Sequence, residues 1–588
     1  MKKRIAIIDR EKCHPNECGN YLCAKLCPVN RAGADCIYPG DDAGKKARID
    51  ELLCTGCGIC PARCPFGAIS IINLPETLNK NPVHRYGENQ FELYSLPSPL
   101  FGKVMGIVGR NGIGKSTVLK IMANLIKPNL GRWKDPPVFK EVLNYFKGTE
   151  TQKFLEKLHR EEIILSYKPQ QVDLIPKQFK GTVTELLARL GSEQEINSLA
   201  ENLQLSSFLN NPVEAISGGE LQRVAIAAAV LKKSNVYLFD EPTSYLDIKQ
   251  RISVSQFIRS LADEQTAVMV IEHDLIILDY LTDLVNIMYG REGAFGIVSG
   301  VKSTREGINA FLEGYLKEEN MRFRDHAITF AKAQDTGSGL PKTLISWTAL
   351  AKNLGNFNFK ADAGSLRKNE IIGILGENGI GKTSFIKMLA GLIKADSGEI
   401  DASVKVSYKP QYLESSSEMT VLEFLHEAAA RYDHQLIKPL QLESLFSQKL
   451  SQLSGGQLQR VAIAHCLSQP AQLFLLDEPS AYLDVEQRLL ISKIIRNVVR
   501  EREITILVVD HDLQFLDYLS DRLIVFTGIP AREGSLQGPF SMEEGMNLFL
   551  KNLNITLRRD VASRRPRIND KGSVKDREQR AENKWYYS

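Results

Sequence analysis

The sequence predicts an α/β protein in which two P-loop nucleotide-binding units follow one another behind a small cysteine-rich α+β module. Three observations carry this. Gly109-Arg-Asn-Gly-Ile-Gly114-Lys115-Ser116 recurs as Gly376-Glu-Asn-Gly-Ile-Gly381-Lys382-Thr383. Each copy follows an apolar, strand-like run (Val104–Val108, Ile371–Leu375) and leads into a helical pattern, the context a phosphate-binding loop requires. Eight cysteines crowd into two runs within the first 64 residues, each run closing on Cys-Pro.

The cysteine runs come first in the chain. The second is Cys54-x2-Cys57-x2-Cys60-x3-Cys64-Pro65, and the first is the looser Cys13-x4-Cys18-x4-Cys23-x3-Cys27-Pro28. Thiolates at the tighter spacing wrap three corners of a cubane and send the fourth ligand to the other cluster, as in two-cluster ferredoxins. One [4Fe-4S] cluster is therefore expected on Cys27, Cys54, Cys57 and Cys60, and the other on Cys13, Cys18, Cys23 and Cys64, in a ferredoxin-like module over 1–75. Structural zinc usually takes paired CxxC units instead of a triple run ending in CP. Disulfides do not suit a chain with no secretory leader pattern. Cys36 falls outside both runs and Cys466 sits in an apolar stretch; both read as buried thiols. Residues 1–73 carry eleven Lys/Arg and eight Asp/Glu, and two oxidised clusters at about −2 each bring the module near −1. So small a module has little core of its own, which makes metal a source of its stability.

The remainder of the 588 residues is too long for one core. An apolar content of 43% is ordinary for a globular chain, and no run of about 18 apolar residues reads as a membrane span. The net charge of +4 says little, but 558–580 hold nine basic against four acidic side chains. That stretch reads as a basic tail, whose paired arginines suit phosphate or carboxylate.

The nucleotide units carry the chemistry. In the first, Gly109, Asn111, Gly112, Gly114, Lys115, Ser116 and Thr117 form the phosphate loop; in the second, Gly376, Asn378, Gly379, Gly381, Lys382, Thr383 and Ser384. Glycines let backbone amides turn toward phosphate, the lysine reaches the β/γ-phosphates and the hydroxyl of Ser116 or Thr383 binds Mg²⁺. Further paired motifs follow in register: Lys168-Pro169-Gln170 and Lys409-Pro410-Gln411, then Ser217-Gly218-Gly219-Glu220 and Ser454-Gly455-Gly456-Gln457. After these come Asp240-Glu241-Pro242 and Asp477-Glu478-Pro479, Tyr245-Leu246-Asp247 and Tyr482-Leu483-Asp484, and finally His273 and His511. This set resembles the ATP-binding cassette (ABC) family. The likeness implies two head-to-tail cassettes, each ATP being held by one copy and capped by the other. The first site uses Lys115, Ser116, Gln170, Asp240, Glu241 and His273, closed by Ser454, Gly455 and Gly456. The second uses Lys382, Thr383, Gln411, Asp477, Glu478 and His511, closed by Ser217, Gly218 and Gly219. Asp240 and Asp477 hold the Mg²⁺ shell, with Gln170 and Gln411 on the ion. Glu241 and Glu478 orient or deprotonate the attacking water, and the histidines touch the γ-phosphate. Aromatics against adenine are expected from Tyr86 and Phe91 at the first site and from Trp347 and Phe357 at the second, the tryptophan being a departure from the relatives.

The copies differ in length. Lys115 to Ser217 spans 102 residues and Lys382 to Ser454 only 72. The surplus includes 138–160, where Phe139, Val142, Leu143 and Phe146 keep helical spacing, Gly148 breaks it, and Phe154, Leu155 and Leu158 resume it. A helix-turn-helix hairpin bearing Lys140, Lys147, Lys153, Lys157 and Arg160 is expected.

End to end, the chain is similar to the E-subfamily ABC ATPases, the archaeal and eukaryotic ribosome-recycling factors first called RNase L inhibitors. The likeness rests on Arg4-Ile-Ala-Ile, LCTGCGIC at Leu53–Cys60, His84-Arg85-Tyr86-Gly87, the segment Gly307–Arg324, ITLRRD at Ile555–Asp560, Arg565-Pro566-Arg567-Ile568-Asn569 and Asp576-Arg577-Glu578-Gln579. It implies cassettes at 80–305 and 341–544, a hinge at 306–340 and at 545–588 (the latter with the basic tail), and a monomer in the cytoplasm with no membrane attachment. It further implies ATP-driven splitting of ribosomes after termination or stalling. The partners would be rRNA and ribosomal proteins of both subunits, a release factor or its stalled-ribosome paralogue, and initiation factors on the small subunit. A redox enzyme would want a flavin or dinucleotide fingerprint, which the sequence lacks. A transporter subunit would not need the cysteine module. DNA-repair ATPases insert long coiled coils where this chain has 102 residues.

Overall fold

The computed structural model describes residues 4–40, 44–73, 81–330, 342–355, 357–401, 404–411 and 417–587. The expected joins near 75–80 and at 331–341 lie outside the described residues.

Two eight-stranded sheets repeat one topology. The first runs, in spatial order, His84–Arg85, Glu92–Tyr94, Phe295–Ser303, Leu284–Arg291, Val104–Val108, Ala267–Ile271, Val236–Asp240 and Leu165–Lys168. The second runs Leu350–Leu354, Phe357–Ala361, Glu533–Ser541, Arg522–Ile529, Ile371–Leu375, Thr505–Val509, Leu473–Asp477 and Val406–Lys409. The central strands are parallel and buried throughout, and so they read as unbroken apolar runs. Pairing of Ile271 with Asp240 and of Val509 with Asp477 brings the carboxylate ends of neighbouring strands to one edge. Both phosphate loops open there, where ligands of parallel sheets bind.

The insert of the first cassette is the expected hairpin, Phe139–Tyr145 and Glu150–His159, with Gly148 at φ 79° between them. Thr149 caps the second helix by accepting from the Gln152 amide. Val142, Phe146, Phe154 and Leu155 turn into the core of the first cassette, which leaves the basic face outward.

The N-terminal module is α+β. Arg4–Ile8 pairs antiparallel with Ile69–Asn73, a hairpin joins Ile37–Pro39 to Ala47–Ile49, and short helices cover Leu22–Leu26, Pro28–Arg31 and Ile59–Arg63. Its inner core is largely cysteine: Cys13, Cys27, Cys36 and Cys60 are buried with Ile8, Ile37 and Ile49. Its outer strands belong to another core. Ile5 and Ile72 pack with Ile308, Phe311 and Leu312 of helix Thr304–Glu313 and with Val485 and Leu489 of the second cassette. Arg85 pins the module electrostatically, pairing with Glu51 at 2.9 Å and with Glu92 at 3.1 Å.

The helices of the two segments expected to form a hinge, Thr304–Glu313 and Met542–Leu553, start slightly earlier than the expected boundaries at 306 and 545. Ser303 and Ser541 cap them, accepting from the amides of Glu306 and Glu544. The reading of 558–580 as a basic tail is corrected. The segment folds into a hairpin, Leu557–Arg559 with Pro566–Ile568, followed by helix Val574–Ala581. Arg565 is fully buried and meets Asp279 of the first cassette at 3.1 Å, and Arg567 grips the same carboxylate with Nη2–Oδ1 at 3.0 Å. Asp560 takes Arg305 at 3.0 Å. Arg565 and Arg567 are thus neutralised on Asp279 and Asp560 inside the protein, and Arg559 meets Asp517 at 3.4 Å.

Candidate ATP sites and cluster module

Each phosphate loop turns through left-handed glycines before its helix. A Cβ on Gly114 (φ 90°) would fall 2.5 Å from the Phe91 ring, and one on Gly381 (φ 95°) 3.0 Å from Phe357, so only glycine fits. Lys115 Nζ donates to the carbonyls of Gly109 (2.9 Å) and Arg110 (2.6 Å), and Lys382 Nζ to that of Gly376 (2.8 Å). Burial pulls the Lys115 ammonium down to about 8, against the pull of Asp484, Glu241 and Asp240. A phosphate restores what burial takes away.

The glutamates after the strand ends are held in place by their own motifs. Gln170 Nε2 donates to Glu241 Oε1 at 2.7 Å, and His273 Nε2 lies 3.2 Å from the same oxygen. In the second copy Gln411 Nε2 donates to Glu478 Oε1 at 2.7 Å and His511 Nε2 stands 3.6 Å away. Both glutamates have left-handed backbones (φ 47° and 46°), a conformation that costs energy and collects at functional positions. Their electrostatics differ. Burial pushes Glu241 up, but His273, Lys115 and the Gln170 amide hold it at about 2. Burial and the charges of Asp510 and Asp477 push Glu478 up to about 7.

The donor set fits Mg²⁺. Asp240 Oδ1 is buried with no hydrogen-bond partner, although Tyr167 reaches Oδ2 at 3.4 Å and Ser116 also bonds this carboxylate. A buried carboxylate oxygen left free beside a phosphate loop is suited to a hydrated cation.

The halves face head to tail. Asn111 N–H donates to Asp484 Oδ2 at 3.0 Å and Asn378 N–H to Asp247 Oδ2 at 3.1 Å, so each phosphate loop is touched by the opposite copy. A cavity of about 1090 Å³ is lined by Tyr86, Phe91, Asn111, Gly112, Gly114, Lys115, Ser116, Thr117, Asp240, Glu241 and His273 from the first half and by Ser454, Gly455 and Gly456 from the second. Gln170, Gln411, Glu478 and His511 open on the same space. Ser217 and Ser454 both cap their helices, accepting from the amides of Glu220 and Gln457. Helix Gly218–Val230 and helix Gly455–Ser468 thus present the same N-terminal amides.

The aromatic expectation divides. Tyr86 is half exposed, with its hydroxyl 3.1 Å from that of Thr117, and it lines the cavity with Phe91. Phe357 is half-buried beside Gly381. Trp347 is corrected: it is 3% exposed, packs edge-on against Phe385 and donates its indole N–H to Asp362 O at 2.8 Å, which takes it into the core. The strand register puts Leu354 across from Phe357 where Tyr86 stands across from Phe91. Other participants were not among the expected site residues. Lys168 and Lys409 donate to the carbonyls of Asp240 (2.9 Å) and Asp477 (2.7 Å), and Gln222 and Gln459 to those of Glu241 and Glu478 (both 2.6 Å). Their signal was their exact repetition in the two copies.

In the N-terminal module Cys13, Cys18, Cys23 and Cys64 lie within electrostatic reach of one another. Cys60 neighbours Cys54, Cys23 and Cys57, so the two quartets adjoin, and Cys36 stands against Cys27 and Cys54. Burial raises the thiols of Cys13, of Cys23 (to about 11) and of Cys60 (to about 12), and a cation beside them would favour the thiolate. Among the described residues no three Cys, His, Asp or Glu side chains close on a single-ion site. Two sets of four cysteine sulfurs gathered in one small module are the donor chemistry that a pair of cubanes takes.

The family model described as "ABC transporter" matches residues 101–244 and 359–481. One for a possible Fer4-like domain in RNase L inhibitor matches 4–35, and a 4Fe-4S binding domain matches 47–70. An uncharacterized ABC transporter ATP-binding protein of Methanocaldococcus jannaschii is 48% identical over 99% of this chain and 97% of its own. Translation initiation factor RLI1 of Saccharomyces cerevisiae is 43% identical over 99% and 98%. A solved structure described as a model of ribosome-bound archaeal Pelota and ABCE1 superposes with a TM-score of 0.94 at 49% identity, covering 100% of this chain and 99% of that one.

Proposed function

Because this chain belongs to the RNase L inhibitor family, the E subfamily of ABC ATPases, we propose that it splits ribosomes into subunits after termination or stalling, using ATP to close its twin cassettes. The observation that carries this reading is the junction of engine and tool. The head-to-tail ATP sites and the cluster module share one apolar core through Ile5, Ile72, Val485 and Leu489, so a change at the clamp is felt by the module.

The chain's own residues account for the ATPase cycle. Backbone amides of the phosphate loops and Lys115 or Lys382 receive the β/γ-phosphates. The opposite helix N-terminus at Ser454 or Ser217 caps the γ-phosphate, so ATP favours the closed pair. Ser116, Thr383, Asp240, Asp477, Gln170 and Gln411 would hold Mg²⁺, which when bound supplies charge stabilisation at the phosphoryl oxygens. Glu241 and Glu478 align water, steadied by Gln170 and Gln411 and by His273 and His511. Loss of the γ-phosphate removes what the opposite copy binds, and the halves part. Cys13, Cys18, Cys23 and Cys64, with Cys27, Cys54, Cys57 and Cys60, would hold two [4Fe-4S] clusters, whose bonds replace an apolar core and make the module stiff.

The partners follow from the relatives: the ribosome, a Pelota-like stalled-ribosome factor or release factor, and initiation factors on the small subunit. No helix of the described residues is long and apolar enough to cross a membrane, and we place the protein in the cytoplasm with ribosomes. The test is sedimentation of ribosomes with this protein, ATP and a release factor or Pelota. Conversion of whole ribosomes to subunits is expected; intact ribosomes under every nucleotide condition would overturn the reading.

A further inference from the structure

The two halves meet through a pair of equivalent ion pairs whose polarity is reversed. Two residues beyond the aspartate that accepts the opposite phosphate-loop amide, the first cassette carries Lys249 and the second Glu486. Lys249 Nζ lies 3.0 Å from Glu377 Oε1, and Glu486 Oε2 lies 3.0 Å from Arg110 Nε. Each phosphate loop is thus held by the other half, but only in the second cassette is the residue on the helix after the aspartate an acid, whose second oxygen is turned away from the phosphate loop.

That oxygen goes to the hinge. Glu486 Oε1 accepts from Arg324 Nε at 2.8 Å and also from its Nη2. Arg324 is buried; its Nη1 donates to the carbonyls of Phe311 (2.8 Å) and Leu312 (3.1 Å), and its guanidinium lies over the Phe311 and Phe323 rings at 5.1 and 5.5 Å. Phe311 and Leu312 end the hinge helix and share a core with Ile5 and Ile72 of the cluster module. Among the described residues Lys249 meets Glu377 and no hinge side chain.

We propose that Glu486 is a positioning residue that couples closure of the first ATP site to the hinge and, through it, to the cluster module, a linkage the second site lacks. Asp484 caps the helix on which Glu486 sits, so the two carboxylates move as one body. When Asn111 N–H engages Asp484, Glu486 must travel with it. Arg324 cannot stay behind, because a buried guanidinium without its carboxylate is an uncompensated charge. The direction of its pull is set by the hinge-helix carbonyls it also holds. The idea deepens the clamp described above and rests on that reading for its purpose, but its test needs no ribosome.

The test uses the full chain, with dyes on non-cysteine handles at exposed Glu11 and Lys493, and reads module position and ATP occlusion separately. Glu241→Gln traps the first site and Glu478→Gln the second. With Glu486 intact, trapping the first site should shift the distance between the dyes. With Glu486→Gln added, ATP is still occluded at the trapped first site, where Asn111 N–H keeps Asp484, but the distance change is lost or its nucleotide dependence weakens about fivefold or more, the usual size of an allosteric coupling. Gln keeps the shape and accepts a hydrogen bond from Arg324 but removes the charge, and retained ATP occlusion is the control that the fold survives. Arg324→Lys with Glu486 intact, which keeps the charge but not the fork, should retain part of the shift. An unchanged shift in Glu486→Gln would overturn the proposal, as would a shift that follows trapping of the second site, or equal loss of occlusion at both sites. Ribosome splitting by the parent protein is scored apart, so its failure beside an intact dye response would condemn the ribosomal reading and spare the relay.

Discussion

Asp279→Asn is the sharpest probe of how the C-terminal segment is held. Arg565 has no exposed surface and Asp279 only 3%, and Arg567 grips the same carboxylate. The substitution keeps the shape and deletes the charge. Breaking a buried pair from one side costs about 3 to 5 kcal/mol. The lower end applies, because Asp560 stands 3.6 Å from Arg567 and keeps part of the compensation. At about 1.36 kcal/mol per tenfold, a loss of about 3 kcal/mol raises the population of the undocked segment roughly 150-fold. Hydrogen exchange reads this directly. The amide of Leu557, bonded to Trp585 O at 2.9 Å, and that of Asn569, bonded to Thr556 O at 3.0 Å, should exchange about a hundredfold faster. The central strand Val104–Val108 should be unaffected. Asp279→Leu with Arg565→Leu and Arg567→Leu should recover much of the protection, since apolar replacement of a buried ionic cluster is often neutral or better. Unchanged exchange in Asp279→Asn, or equal acceleration in Val104–Val108, would refute the docking argument.

Three further outcomes are expected. Glu241→Gln and Glu478→Gln should each keep ATP binding and lose hydrolysis at their own site, measured by single-turnover phosphate release; full turnover in the double variant would refute the assignment. The remaining site should then show its own pH profile. Glu478 sits at about 7 and loses its carboxylate as pH falls through that value, so Glu241→Gln protein should lose about tenfold in rate per unit below pH 7. Glu241 at about 2 stays ionised, so Glu478→Gln protein should hold its rate to about pH 5; coincident profiles would count against this. Cys54→Ser should lower iron and acid-labile sulfide well below eight atoms per chain, while Cys36→Ser should retain them, by anaerobic analysis.

The repeated part of the molecule was legible because its chemistry fixes spacing. A phosphate loop must follow a strand and open a helix, so Gly109 and Gly376 announced both sheets, and the insert followed from the periodicity on either side of Gly148. Long-range charge pairing was not legible. Nothing local distinguishes Arg565, buried on Asp279 of another domain, from an arginine in solvent. Nine basic against four acidic side chains over 558–580 therefore read as a tail. Trp347 failed for a related reason. Its distance before the phosphate loop matched an adenine contact, but strand Thr343–Trp347 pairs with Gly364–Arg367, and Gly364 leaves room only for an inward indole. The contacts between Arg85 and Glu51 and between Asn111 and Asp484 join residues 34 and 373 apart, and no window of sequence contains both.

The apolar surface shared by Ile5, Ile72, Val485 and Leu489 has a consequence for how the protein is made. The module leaves the synthesising ribosome before the second cassette, and its seat there is encoded about 400 residues later. At about 5 to 20 residues per second, that seat appears roughly 20 to 80 seconds after the module is complete. Until helix Thr304–Glu313 follows, Ile5 and Ile72 face water, while Cys13, Cys27, Cys36 and Cys60 already lie among the module's own strands and helices. Iron can therefore be delivered to a nascent chain whose cysteines are in place and whose later neighbours do not yet exist.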